Sequence, residues 1–136
     1  AVRSAGGRSP LMVGDRLDTD IAGAVNAGMP SLMVLTGVNT PADLLFTSPD
    51  MRPDHVAADL RGLLQAPEEV AIAAQPGWQA RVADGVLELA RSAPEADALA
   101  ALRTLCATWW ATSSGPVEVR AADEHAKAAL HELGLA

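Results

Sequence analysis

Aromatic residues are scarce: one Phe, three Trp and no Tyr among 136 residues. Any core must therefore be mainly aliphatic. The 49% apolar content, much of it alanine, is enough to build one and excludes wholesale disorder. Cysteine is nearly absent too. Cys106 is the single thiol, so no internal disulfide forms, and its alanine- and leucine-rich surroundings predict a buried structural role. No run approaches the ~20 apolar residues of a membrane span, and no signal peptide opens the chain. Positive charge is short as well. Ten Lys and Arg against 17 Asp and Glu give a net charge of −7, which repels nucleic-acid phosphates and anionic membranes. These absences predict no nucleic-acid partner, no membrane partner and a cytoplasmic location. The three histidines offer no zinc pattern: His125 and His131 stand six apart and His55 is isolated.

The length allows one ordinary domain or two small units. The chain opens at Ala1 in mid-pattern, without an initiator Met, and reads as a fragment or a processed product. Residues 1–7 read as the tail of a helix stopped by glycine. Residues 10–13 (Pro-Leu-Met-Val) form a continuous apolar run, the mark of a strand buried on both faces. Thr19 reads as an N-cap with Asp20 in the first turn, opening a helix over 21–27 that Gly28 and Pro30 close. Residues 31–35 are a second apolar run. Strand, helix, strand predicts a βαβ unit with a right-handed crossover. A loop with a short helix near 43–45 follows, then an edge strand over 54–57 and a brief helix carrying Leu60, Leu63 and Leu64.

Three carboxylates, Asp15, Asp18 and Asp20, lie within six residues directly after the first apolar run. Ligands gather at the carboxyl ends of strands in open α/β sheets. A hard dication such as Mg²⁺ takes oxygen ligands, usually one or two carboxylates with water and substrate phosphate. Gly14 permits a sharp turn there and Asp15 would project into the crevice. From spacing alone, metal binding and plain turn or helix capping both stand.

The longer strings are more specific. Residues 11–24 (Leu-Met-Val-Gly-Asp-Arg-Leu-Asp-Thr-Asp-Ile-Ala-Gly-Ala) and 27–38 resemble the fourth motif of the haloacid dehalogenase superfamily. Within it they are similar to the branch of nitrophenylphosphatases and phosphoglycolate or glycerol-3-phosphate phosphatases. Residues 52–64 resemble the last strand and helix of that core. The resemblance implies an α/β fold: the C-terminal half of a Rossmann-like parallel sheet over residues 1–66. It also implies a phosphoaspartate mechanism with Mg²⁺ and a small phosphorylated substrate. Asp15 matches the metal-ligating aspartate. Asp20 matches the second acidic position, with Gly14 and Thr19 supporting the loop and Asp18 at a variable position. No Asp-x-Asp-Gly segment occurs, and the Ser/Thr motif, the Lys motif and the cap insertion are absent as well. The expected nucleophile therefore lies outside these residues, and the chain alone is expected to be inactive. Its expected protein contacts are with an N-terminal half carrying those motifs, or with another copy of itself.

Residues 67–76 read as a linker holding a turn of helix, and residues 77–136 as a small α+β unit. Residues 78–82 and 86–90 flank Asp84-Gly85, which suits a type I′ hairpin turn. A long helix over 95–112 carries Leu99, Leu102, Cys106 and Trp109 or Trp110 on one stripe. A strand over 116–120 and a helix capped by Asp123 complete the unit. Residues 76–79 and 117–130 resemble the extension of glycerol-3-phosphate phosphatases that is likened to GCN5-related acetyltransferases. Acetyl transfer is not expected. That family cradles pyrophosphate on a glycine-bearing turn at a helix N-terminus, and residues 120–125 lack the glycines and carry an acid pair. The unit is expected to pack on the phosphatase-like core, covering some of the surface that a half-sheet leaves open, or to mediate oligomerisation. Two other readings remain: a non-catalytic binding module, and a partial coenzyme A binder.

Overall fold

The computed structural model describes residues 2–5, 9–37, 39–93 and 97–135. Its first sheet has four strands in the order β1-β2-β3-β4, formed by Val2–Ala5, Ser9–Gly14, Ser31–Val34 and His55–Ala57. The central pairs β2–β3 and β3–β4 are parallel, as the two apolar runs predict. Helix α1 (Ala22–Asn26) makes the crossover from β2 to β3 and ends at Gly28, whose φ of +70° suits glycine. The short α2 (Pro41–Leu45) lies between β3 and β4.

Two local expectations fail. Residues 2–5 are not a helix tail; they form β1, which runs antiparallel along the outer edge of β2 with Val2 opposite Met12. That pairing satisfies backbone groups a terminal edge would leave open, and it outweighs the weak helix signal of four residues. The glycines at 6 and 7 lie outside the described residues. Thr19 is not an N-cap. The helical turn starts two residues earlier, at Leu17, after Arg16 in extended conformation, and Thr19 sits exposed in its middle. The turn is wound wide, with the Ile21 N–H donating to the Arg16 carbonyl five residues back at 3.2 Å. Burying both Leu17 and Ile21 fixes this winding.

The second sheet has the order β5-β6-β7, formed by Trp78–Ala83, Val86–Arg91 and Glu118–Ala121. Asp84 (φ 54°) and Gly85 (φ 75°) both adopt the left-handed conformation a type I′ turn demands. Helix α4 (Ala98–Trp110) crosses from β6 to the parallel β7, and α5 (Glu124–Glu132) follows. The expected start of the long helix near 95 lies outside the described residues; its observed cap is Asp97, which accepts the Ala100 N–H. Leu102, Leu105, Cys106 and Trp109 are buried on one stripe of α4, while Leu99 is half-buried.

That stripe joins the two sheets. Met33 and Val56 of the first, with Leu44 and Leu45 of α2, share one apolar cluster with Leu87 and Leu89 of the second and Leu102 and Leu105 of α4. On the opposite face of the first sheet a smaller cluster holds Val13, Leu32, Val34, Ala57 and Val70. Residues between the sheets are packed as well. Helix α3 (Pro67–Val70) buries Val70, and the Ile72 N–H donates to the Asp54 carbonyl at 2.8 Å.

Met33 is fully buried at the centre of the larger cluster. Met33→Ala is expected to cost about 2–5 kcal/mol through lost burial and a residual cavity. Urea unfolding followed by circular dichroism measures it.

Candidate metal-loop site

Asp15 follows β2 directly, at the carboxyl end of a parallel strand. Gly37 follows the neighbouring β3, and parallel strands bring these two ends side by side. The approach is close: a Cβ added at Gly37 would lie 2.7 Å from Asp15 Oδ2 and 2.8 Å from Asp15 Cβ. Gly14 plays the same part for Asp20, since a Cβ there would lie 2.7 Å from both Asp20 Cγ and Oδ2. Each carboxylate thus rests on a glycine that leaves it room. The wide turn at 17–21 is what folds Asp20 back over Gly14, five residues on from Asp15.

The two acids are distinguished from Asp18. Asp18 points outward and pairs with Arg16, whose Nε and terminal nitrogen donate to it at 3.2 Å each. The pair is exposed and contributes little to stability. Its hydrogen bonds hold the Arg16 pKa above the usual value, with Asp15 and Asp20 adding to the same field. Among the described residues, Asp15 and Asp20 accept no hydrogen bond from the protein, so their oxygens stay available. Thr19 is exposed and contributes only backbone to the turn.

The loop is latched from the side by a residue the sequence reading missed. The Asn39 side-chain oxygen accepts the Leu17 N–H at 2.9 Å. Asn39 is held in turn by the start of α2, where its amide lies 3.4 Å from Asp43 Oδ2. Thr40 and Asp43 form a reciprocal capping box, 2.9 Å from the Thr40 N–H to Asp43 and 3.2 Å from the Asp43 N–H to Thr40. The Thr40 N–H, and then the Asn39 and Thr40 side chains, hold the Asp43 carboxyl below its ordinary pKa. Gly37 could have been inferred from the parallel pairing of the two motif strings. The Asn39 latch carries no signal at 22 residues' separation.

Two oxygen-only side chains at a strand end suit a hard dication such as Mg²⁺. Among the described residues no group of three or more His, Cys, Asp or Glu side chains that could hold a metal ion converges. A cavity of about 550 Å³ beside the loop is lined by Arg16, Asp18, Asn39, Asp43 and Ser48, among others, and does not include Asp15 or Asp20.

Residues 2–63 match the HAD-hydrolase-like family model. Those residues resemble the haloacid dehalogenase-like hydrolases. Residues 75–135 match the GCN5-related N-acetyltransferase-like domain model. The whole chain is similar to the D-glycerol 3-phosphate phosphatase of Mycobacterium tuberculosis, at 40% identity over 139 residues that cover 94% of this chain and 39% of the relative. Its hydrolase-like part is similar to phosphoglycolate phosphatase 2 of Arabidopsis thaliana, at 44% identity over 59 residues covering 41% of this chain and 20% of the relative. The crystal structure of the M. tuberculosis glycerol phosphate phosphatase with magnesium matches at a TM-score of 0.86 and 44% identity, over 93% of this chain and 38% of the other. Its calcium complex matches at 0.84 and 44%, over 92% and 38%. The chain therefore spans about two fifths of the length of the glycerol phosphate phosphatase.

In the acetyltransferase-like unit the helix N-termini are already occupied. Asp123 takes the Ala126 N–H at 2.7 Å and the Arg91 N–H at 2.8 Å, and Asp97 caps α4. A pyrophosphate approaching either terminus would meet a carboxylate where acetyl-CoA binding needs free donors. The backbone N–H groups of Ala126 and then Arg91 hold the Asp123 carboxyl below its usual pKa.

Two outcomes are expected. Gly37→Ala should displace Asp15 and Gly14→Ala should displace Asp20, each visible as amide shifts confined to 14–21 and 36–39 in an NMR spectrum. Acidification should release the Asn39 latch. The Asp43 pKa is lower in the folded than in the unfolded chain, so its contribution is complete above about pH 4 and is lost as pH falls through the depressed value. Faster Leu17 amide exchange, beyond the intrinsic pH trend, measures that release.

Proposed function

We propose that this chain supplies the metal-binding aspartate loop of a Mg²⁺-dependent phosphatase acting on small phosphomonoesters of the glycerol 3-phosphate type. The observation that carries this reading is the pair of glycine-backed carboxylates at the end of β2. It is supported by 40% identity to a D-glycerol 3-phosphate phosphatase along almost the whole chain. Asp15 is the direct ligand, and Asp20 supports the site or its waters. Gly14, Gly37 and the turn through Thr19 keep both acids in place. Bound Mg²⁺ would offset negative charge on a phosphoryl group.

The chain's own residues do three things here. They hold two carboxylates at a strand end, direct Asp18 away into a pair with Arg16, and fix the loop through Asn39. The nucleophile of the phosphoaspartate step lies outside these residues, since none of them forms an Asp-x-Asp-Gly segment. The partner that completes the site is then a segment bearing that motif. We divide the chain at 1–66, 67–76 and 77–136, the middle stretch being a packed connector.

Titration calorimetry checks the metal role: the chain should bind Mg²⁺, and Asp15→Asn should weaken binding at least tenfold while leaving the melting temperature within a few degrees. Equal affinity in the variant would refute Asp15 as the ligand. The purified chain alone should not hydrolyse p-nitrophenyl phosphate, and Asp15-dependent turnover would show that the nucleophile is present after all.

A further inference from the structure

The join between the two units is made by reciprocal capping of helix ends. The carbonyls of a helix's last turn have no partner within the helix. At the end of α2 the Leu45 carbonyl accepts the Trp110 indole N–H, 3.0 Å away on α4. At the end of α4 the Trp110 and Ser113 carbonyls accept the Arg52 guanidinium at 3.2 and 2.8 Å. Arg52 also stacks 5.1 Å above the Trp110 ring, and a cation suits the negative end of a helix dipole. Each unit thus finishes a helix of the other.

A third contact closes the sheet. β4 pairs with β3 on one side, and on the other His55 bridges to Ala71. On that other side the Val56 carbonyl accepts two N–H groups of Arg103, at 2.9 and 2.7 Å. Arg103 is only 5% exposed, and burial pulls its pKa down against the longer-range pull of Asp97 and Glu69. A charge buried onto a main-chain carbonyl loses hydration, and the hydrogen bonds have to make that good. The pattern is that of an interface built to stay closed.

We propose that α4 of the acetyltransferase-like unit is a clamp that positions the aspartate loop of the hydrolase-like unit, with Trp110 and Arg103 as its positioning residues. The route is continuous. Trp110 grips the end of α2, the capping box at the start of α2 holds Asn39, and Asn39 holds Leu17 of the loop. Arg103 fixes β4, the strand beside the one that ends next to Gly37. The unit's role is then mechanical rather than acyl transfer. The clamp stands on these contacts and does not depend on what the loop binds.

The test is amide hydrogen exchange on the isotope-labelled 136-residue chain. Trp110→Phe keeps the ring over Arg52 and removes only the indole donor. It should speed exchange at Phe46 and Leu17 roughly fivefold, as expected for one lost hydrogen bond, and leave β5 and β6 amides unchanged. Arg103→Met keeps the apolar stem and should speed exchange at Leu35, whose N–H bonds the Ala57 carbonyl. Unchanged Leu17 exchange in Trp110→Phe would overturn the clamp, and so would equal acceleration at every site, which marks general destabilisation. Should either variant fail to fold, the wild-type chain decides in urea. All three tryptophans lie in the second unit, so tryptophan fluorescence and the exchange of β3 amides should share one midpoint, and two separate midpoints would overturn the proposal.

Discussion

Helix ends need partners for their last carbonyls, and at the join of this molecule those partners come from the other unit. A five-residue α2 is too short to be stable alone. It exists because its start is closed by the Thr40–Asp43 box and its end by Trp110. The same logic holds for the C-terminal turn of α4, finished by Arg52. The apolar stripe of α4 then fills the space between two small sheets, whose facing residues share one core. With so few aromatic residues, a shared core is what the composition permits.

The carboxylate loop draws its order from this arrangement. Leu17 and Ile21 anchor both ends of the wide turn in the common core. Gly14 and Gly37 let the acids approach the backbone, and Asn39 holds the turn from the side. No residue of the loop fixes it alone. Among the described residues the two acids accept no hydrogen bond, and the structural work is done by main chain and by neighbours. Asp18, which does pair with an arginine, is the carboxylate directed away from the strand end.

Much of this was legible in the residues. The apolar runs at 10–13 and 31–35 with a glycine-closed helix between them are a βαβ unit, and Asp84-Gly85 is the hairpin turn it reads as. Asp15 falls at the strand end as the run before it implies. What stayed hidden was non-local. Residues 2–5 become a strand only because β2 offers an edge, which no property of those four residues reveals. Thr19 has good capping chemistry, but a cap is defined by where the turn begins, and burial of Leu17 moved that point upstream. Asn39, Arg103 and Trp110 act across 22, 47 and 65 residues, beyond the reach of any local pattern.

The wide winding of residues 17–21 has a consequence for how the loop tolerates change in length. A turn closed five residues back holds one residue more than an ordinary helical turn over the same anchors. Leu17 and Ile21 fix the anchors, so the surplus residue is what swings Asp20 onto Gly14. Removing one residue between them would let the segment relax to regular winding, with every remaining side chain sound and the second acid facing elsewhere. The loop is therefore specified by a count as well as by its chemistry: its spelling could survive while its phase was lost.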